Sequence, residues 1–151
     1  MKILIIHQNF PGQYKHLAPA LARRGDEVVA LTLKVDKPVT WQCVRVLPYG
    51  VDRGNAPGIH PWLRDFESKV IRAEACHAAA TRLRDAGFRP DVILAHPGWG
   101  ESLFLKDVWP GARMGLYCEL YHESGYPHAG FDAEFPGADG PREPLRLRMK
   151  N

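Results

Sequence analysis

Three stretches of this chain set polar, aromatic and glycine residues side by side where a purely structural turn needs none of them. They are HQNFPGQYKH at residues 7–16, HPGWGES at 96–102 and ELYHESG at 119–125. In the second, Pro97 forces His96 to be extended and projects the loop outward. Its imidazole can donate to a substrate hydroxyl or move a proton; the alternative is a histidine satisfied by a neighbouring carbonyl. In the first, Gly12 lets the backbone approach a ligand closely and leaves N–H groups free at a helix start, where an anion is favoured. A plain turn glycine fits that position as well. In the third, Glu119, Tyr121, His122 and Glu123 put carboxylates beside aromatics, which suits sugars: hydroxyls need acceptors and the ring face needs a flat apolar surface. A solvated loop has the same composition.

Other chemistries are disfavoured by spacing. Zinc held by His96, His122 and His128 lacks an HExxH-type arrangement, so no metal site is expected. A Rossmann NAD site requires G-x-G-x-x-G after the first strand, and this loop has only Gly12. Cys43, Cys76 and Cys118 are odd in number, widely spaced and without CxxC, as suits reduced thiols in a cytoplasmic protein. The net charge of +3 is small and its basic residues are scattered until the last ten positions, against a nucleic-acid partner. The opening apolar run stops at Ile6, far short of the ~20 residues a membrane helix needs.

Something must hold those three loops together, and the alternation of the rest supplies it. KILII at 2–6, EVVALTL at 27–33 and DVILA at 91–95 read as strands buried on both faces; CVRVLPY at 43–49 reads as a strand nearer an edge and ARMGLYC at 112–118 as a fifth. Between them, Tyr14, Leu17, Ala18 and Leu21 have helical spacing over 14–24, with Pro19 demanding either a start near residue 18 or a kink. A long helix runs from Pro61 to about Ala86 with Trp62, Phe66, Val70, Ala73, Ala80 and Leu83 on its stripe, and a short one carries Leu103, Phe104 and Val108. Glu101 and Ser102 fall in the first turn of that short helix. Pro38 and the cluster Gly50, Gly54, Pro57 and Gly58 mark loops. The pattern predicts an α/β fold, a Rossmann-like parallel sheet with helices on both faces. Its loops beyond the carboxyl ends of strands one, four and five converge where such sheets bind ligands. With 151 residues and 45% apolar composition, the chain has enough material for a core.

The segments HQNFPGQYKHLAPALARRGDEVVAL and LAHPGWGESLFLKDVWPGARMGLYCELY resemble the N-terminal domain of a bacterial glycosyltransferase of family 4. The resemblance covers nearly the whole chain. It implies the GT-B architecture, two Rossmann-like domains facing each other across a cleft, and transfer of a sugar from a nucleotide-sugar donor with retention and without a metal. It implies a catalytic role for His96 at the transferred sugar's hydroxyls, and substrate contacts from Gly12, Gln13, Gly98, Gly100, Glu101, Glu119 and Tyr121. It also implies that no cofactor takes part beyond the donor, that the acceptor is a sugar or a lipid-linked molecule, and that the missing C-terminal domain binds the nucleotide. This chain alone is then expected to be inactive.

On this reading residues 1–121 form the acceptor-side domain, 122–144 a flexible loop and 145–151 the start of a helix cut by the chain end. The basic tail of Arg142, Arg146, Arg148 and Lys150 allows contact of the full enzyme with a membrane surface, but a solvated helix face has the same look. Asp26 stands where relatives often carry histidine after RRG, a difference expected to be superficial. Two rivals remain: a stand-alone module that binds a sugar or nucleotide without transferring it, and a different α/β enzyme such as an NAD-dependent oxidoreductase.

Overall fold

A computed structural model describes residues 1–119, Arg142 and Leu145. The elements, in chain order, are β1 (Lys2–Ile6), α1 (Leu17–Arg23), β2 (Glu27–Thr32), β3 (Val39–Trp41), β4 (Val44–Pro48), α2 (Arg64–Asp85), β5 (Val92–Ala95), α3 (Leu105–Val108) and β6 (Arg113–Leu116). One six-stranded sheet has the order β3-β4-β2-β1-β5-β6. All its neighbours pair in parallel except β3 with β4. The β-branched and aliphatic runs of β1 and β2 bury side chains on both faces because both faces are covered. On one side Leu4, Ile6, Val29 and Leu31 pack with Cys76, Ala80 and Leu83 of α2 and Leu105 and Val108 of α3. On the other, Ile3, Ile5, Val28 and Ala30 pack with Phe10, Tyr14 and Ala18. The expected parallel sheet with helices on both faces is the fold observed.

Local details depart from the sequence reading. The edge strand β3 follows Pro38, read as a loop marker; it turns into β4 through Gln42 and Cys43, both at positive φ (46° and 66°). The first helix is two pieces, a 3-10 turn at Gly12–Tyr14 and α1 from Leu17, so Pro19 lies in the first turn, where no N–H is needed. In α2 the buried residues are Ile71, Ala73, Cys76, Ala79, Ala80 and Leu83, whereas Phe66 is 55% exposed. The reason is length. At 1.5 Å per residue α2 is about 33 Å long, against about 17 Å for a five-residue strand. As a crossover helix antiparallel to the strands, it carries its first turns past the carboxyl edge of the sheet. Likewise Leu103 is exposed and Leu105 takes its place in the core, because α3 starts four residues after Glu101. Asp26 is not a bare surface residue: it accepts from the Met1 amino group at 2.8 Å and pairs with Arg24. The loop expected at 122–144 and the helix expected at 145–151 lie outside the described residues apart from Arg142 and Leu145. The Arg142 guanidinium lies 4.7 Å from the centroid of the Trp62 ring.

Candidate functional site

The chain leaves β1 for β2 on one side and reaches β5 on the other, so the strand order reverses between β1 and β5. A crevice opens beyond the carboxyl ends at such a point. The register pairs Ile6 with Ala95, which makes the next residues, His7 and His96, neighbours at that crevice. Their backbones extend the ladder by one step, with His7 N–H on Leu31 O at 3.2 Å and His96 N–H on Ile6 O at 3.4 Å. The rings meet edge to face, 5.9 Å between centroids and 82° between planes.

Each loop folds back on its own histidine. Asn9 N–H donates to His7 Nδ1 and Gly98 N–H donates to His96 Nδ1, both at 3.1 Å. With Nδ1 accepting, the proton of each neutral ring sits on Nε2. His96 Nε2–H donates to Glu119 Oε2 at 2.8 Å, and His7 Nε2–H donates to Gln13 Oε1. The Gln13 amide in turn donates to Glu119 Oε1. One carboxylate thus collects the output of both histidines. Hydrogen bonds from His96 and Gln13 hold the Glu119 carboxyl below its usual range. Burial lowers the pKa of His7, more than its hydrogen bond with Gln13 raises it. His7 and His96 are 3% and 7% exposed, whereas the side chains they bond, Gln13 and Glu119, belong to exposed residues.

The glycines of the two loops have a steric reason. A Cβ on Gly12, at φ +44°, would lie 2.3 Å from His7 Cε1; one on Gly98 would lie 2.8 Å from His96 Cε1. Both loops wrap an imidazole too closely for any side chain.

Of the residues expected at the site, the structure brings together Gly12, Gln13, His96, Gly98 and Glu119. Gly100 and Glu101 are elsewhere. Gly100 packs against α2, where its Cβ would be 2.3 Å from Lys69 O. Glu101 is 1% exposed and accepts from the Tyr49 hydroxyl at 2.7 Å, while its Oε2 is buried without a partner. Burial pushes its carboxyl up, toward the neutral acid, against the opposing pull of Tyr49 and Arg72. Expected to line the cleft, it stands behind it, because the loop turns inward at Gly100. Tyr121, with His122, Glu123 and His128, lies outside the described residues.

Two members escaped the sequence reading. His7 stands at the end of β1 as His96 does at the end of β5, and that symmetry of adjacent strands was the available signal. Trp99 stacks on His96, 4.4 Å between centroids at 20°, and meets the His7 ring edge to face at 5.1 Å and 90°. The array can present fixed N–H donors and a carboxylate acceptor to hydroxyl groups in a partly desolvated crevice, where such bonds are strengthened.

The chain is similar in structure to the catalytic domain of starch synthase IV from Arabidopsis thaliana, solved bound to ADP and acarbose. The TM-score is 0.51 at 17% identity, over 80% of this chain and 34% of that one. This likeness shows the fold, one Rossmann-like half of the GT-B architecture, and the chain spans about a third of that structure's length. No curated protein matches the sequence. The family model described as glycosyl transferase family 4 group matches residues 24–151, a span that contains His96, Trp99 and Glu119 and begins after His7, Gly12 and Gln13. Matched over most of its length, the chain belongs to the glycosyl transferase family 4 group.

Proposed function

We propose that this chain is the acceptor-side half of a retaining glycosyltransferase, completed by a second domain that binds the nucleotide of a nucleotide-sugar donor. The observation that carries the reading is the hydrogen-bonded array of His7, Gln13, Glu119 and His96 at the switch point of a family 4 chain. In the reaction the bond from the sugar's anomeric carbon to the diphosphate breaks, the acceptor oxygen forms a bond to that carbon, and the acceptor's proton leaves with the nucleoside diphosphate.

His96 is the catalytic residue: its Nε2–H, released from Glu119, donates to a hydroxyl of the transferred sugar and holds the sugar in line as charge develops. Glu119 and the Gln13 amide, the exposed polar groups of the array, take up further hydroxyls as acceptor and donor. The nucleotide-sugar is a substrate, and no cofactor enters this reading. The acceptor is a sugar or a lipid-linked molecule. Among the described residues no helix is long and apolar enough to cross a membrane; we place the enzyme in the cytoplasm, reaching a lipid-linked acceptor by peripheral contact.

The test is transfer by the native-length protein from a panel of radiolabelled UDP-, GDP- and ADP-sugars, with the anomeric configuration of the product read by NMR. Retained configuration is expected. An inverted product overturns the retaining mechanism. Absence of transfer, together with nucleotide-sugar binding by these 151 residues alone, replaces the reading with that of a binding module.

A further inference from the structure

Behind the two imidazoles, three consecutive residues are gripped, two of them by α2 and one by the residue that follows β4. Arg72 Nε donates to the Trp99 carbonyl at 2.8 Å. Gly100 lies flush on the Lys69 backbone. Glu101 is held by Tyr49, which follows β4. Lys69 and Arg72 are one turn apart on the same side of α2, in the part of the helix that overhangs the sheet. The loop that carries Trp99 is therefore fixed to α2 and not only to its own strand.

Stacking by Trp99 fixes the plane of the His96 ring, and the Gly98 N–H on Nδ1 fixes its rotation within that plane. One direction is left for Nε2–H. From this we infer that Trp99, anchored by Arg72, is the positioning residue of the site: it aims His96 Nε2–H at the hydroxyl of the bound sugar. The inference rests on the transferase reading for what is aimed at, but the aiming itself belongs to the unliganded chain and is measured there. Misplacement of a catalytic group by about 1 Å can cost on the order of a hundredfold in rate, so a partial loss of aim is visible in turnover before it is visible in folding.

The experiment compares Arg72→Met, which keeps the alkyl stem and removes the donor, with Arg72→Lys, whose ammonium can still reach the Trp99 carbonyl. In the chain of 151 residues labelled uniformly with nitrogen and carbon isotopes, NMR reads the His96 ring, assigned by its disappearance in His96→Ala. We expect a displaced ring signal and a dominant Nε2–H tautomer in the wild type, loss of both in Arg72→Met, and recovery in Arg72→Lys. Trp99→Leu should lose the tautomer preference and Trp99→Phe keep it, with the backbone signals of Val29 and Ile93 unmoved in each variant. In the native-length protein, with the nucleotide-sugar that the panel identifies, Arg72→Met should lower kcat about tenfold at unchanged KM for the donor. His96 signals in Arg72→Met that coincide with the wild type, or an unchanged kcat, overturn the inference. If the wild type itself transfers no sugar, the transferase reading fails, and the NMR comparison alone decides the positioning.

Discussion

Two carboxylic acids of this chain are pushed in opposite directions by surroundings that sequence spacing does not reveal. Glu119 accepts two hydrogen bonds at the surface and stays ionised; Glu101 is sealed under its loop and is held toward neutrality. Consequently Glu101 contributes a pH dependence of known sign. Unfolded, it ionises near the ordinary value of 4.5; folded, it keeps its proton to higher pH. The folded state then binds more protons than the unfolded one as pH rises above that value, so stability falls with rising pH through the window up to the raised value. Glu101→Gln, which can still accept from Tyr49, should match the wild type in acid and exceed it increasingly above about pH 4.5. Denaturant unfolding across pH tests this, and a difference that does not vary with pH contradicts it. Buried His7 acts the other way, because below about pH 6.5 the unfolded chain takes up a proton that the folded ring resists. Its loss of stability occurs as pH falls. The two slopes are opposite in sign, so each is legible only by comparison with its own variant. His96 and Glu119 could be picked from sequence because each opens a polar, aromatic stretch directly after a run read as a strand. The place of Glu101 depends on Tyr49, 52 residues away, and no local pattern carries that information.

At the scale of elements, strands were easier to read than the backbone that joins them. The buried runs of β1, β2 and β5 announce themselves, while β3 has three residues, half of a hairpin whose turn residues, Gln42 and Cys43, give no turn signal. Both adopt a positive φ that asparagine and glycine accept more readily. The double substitution Gln42→Asn with Cys43→Gly should therefore stabilise the protein by about 1 kcal/mol, measured by chemical unfolding, with no change at the site. A loss of stability would show that the turn is not held as described. Glycines divide in the same way. Gly87, at φ +92°, faces open space, and alanine there meets only backbone strain, about 1 kcal/mol. Gly100, at φ +99°, faces the Lys69 backbone at 2.3 Å, which cannot yield as a flexible side chain does. Gly100→Ala should cost several times as much as Gly87→Ala, and equal losses would remove the close packing of loop on α2. In the sequence the two glycines look alike; what separates them is a helix that starts 36 positions before Gly100.

The whole molecule is one half of a two-domain architecture. Its site lies at the carboxyl edge of the sheet, with the His rings at the back and Gln13 and Glu119 at the front, the side over which the second domain of the proposed transferase closes. The doubly covered parallel sheet was legible because alternation of buried runs and amphipathic segments leaves few topologies. On the proposed reading the nucleotide is chosen by the other half, while the hydroxyls of the transferred sugar meet His96, Gln13 and Glu119 of this one. The central claim is that His96 acts on the sugar being transferred, and its most direct test is the turnover of His96→Ala against the wild type in the native-length protein, with folding monitored by circular dichroism. The account predicts a fall in kcat of about a hundredfold or more with the fold intact, the scale seen when one oriented donor is removed from a developing charge. A variant that folds and transfers sugar at the wild-type rate would contradict it.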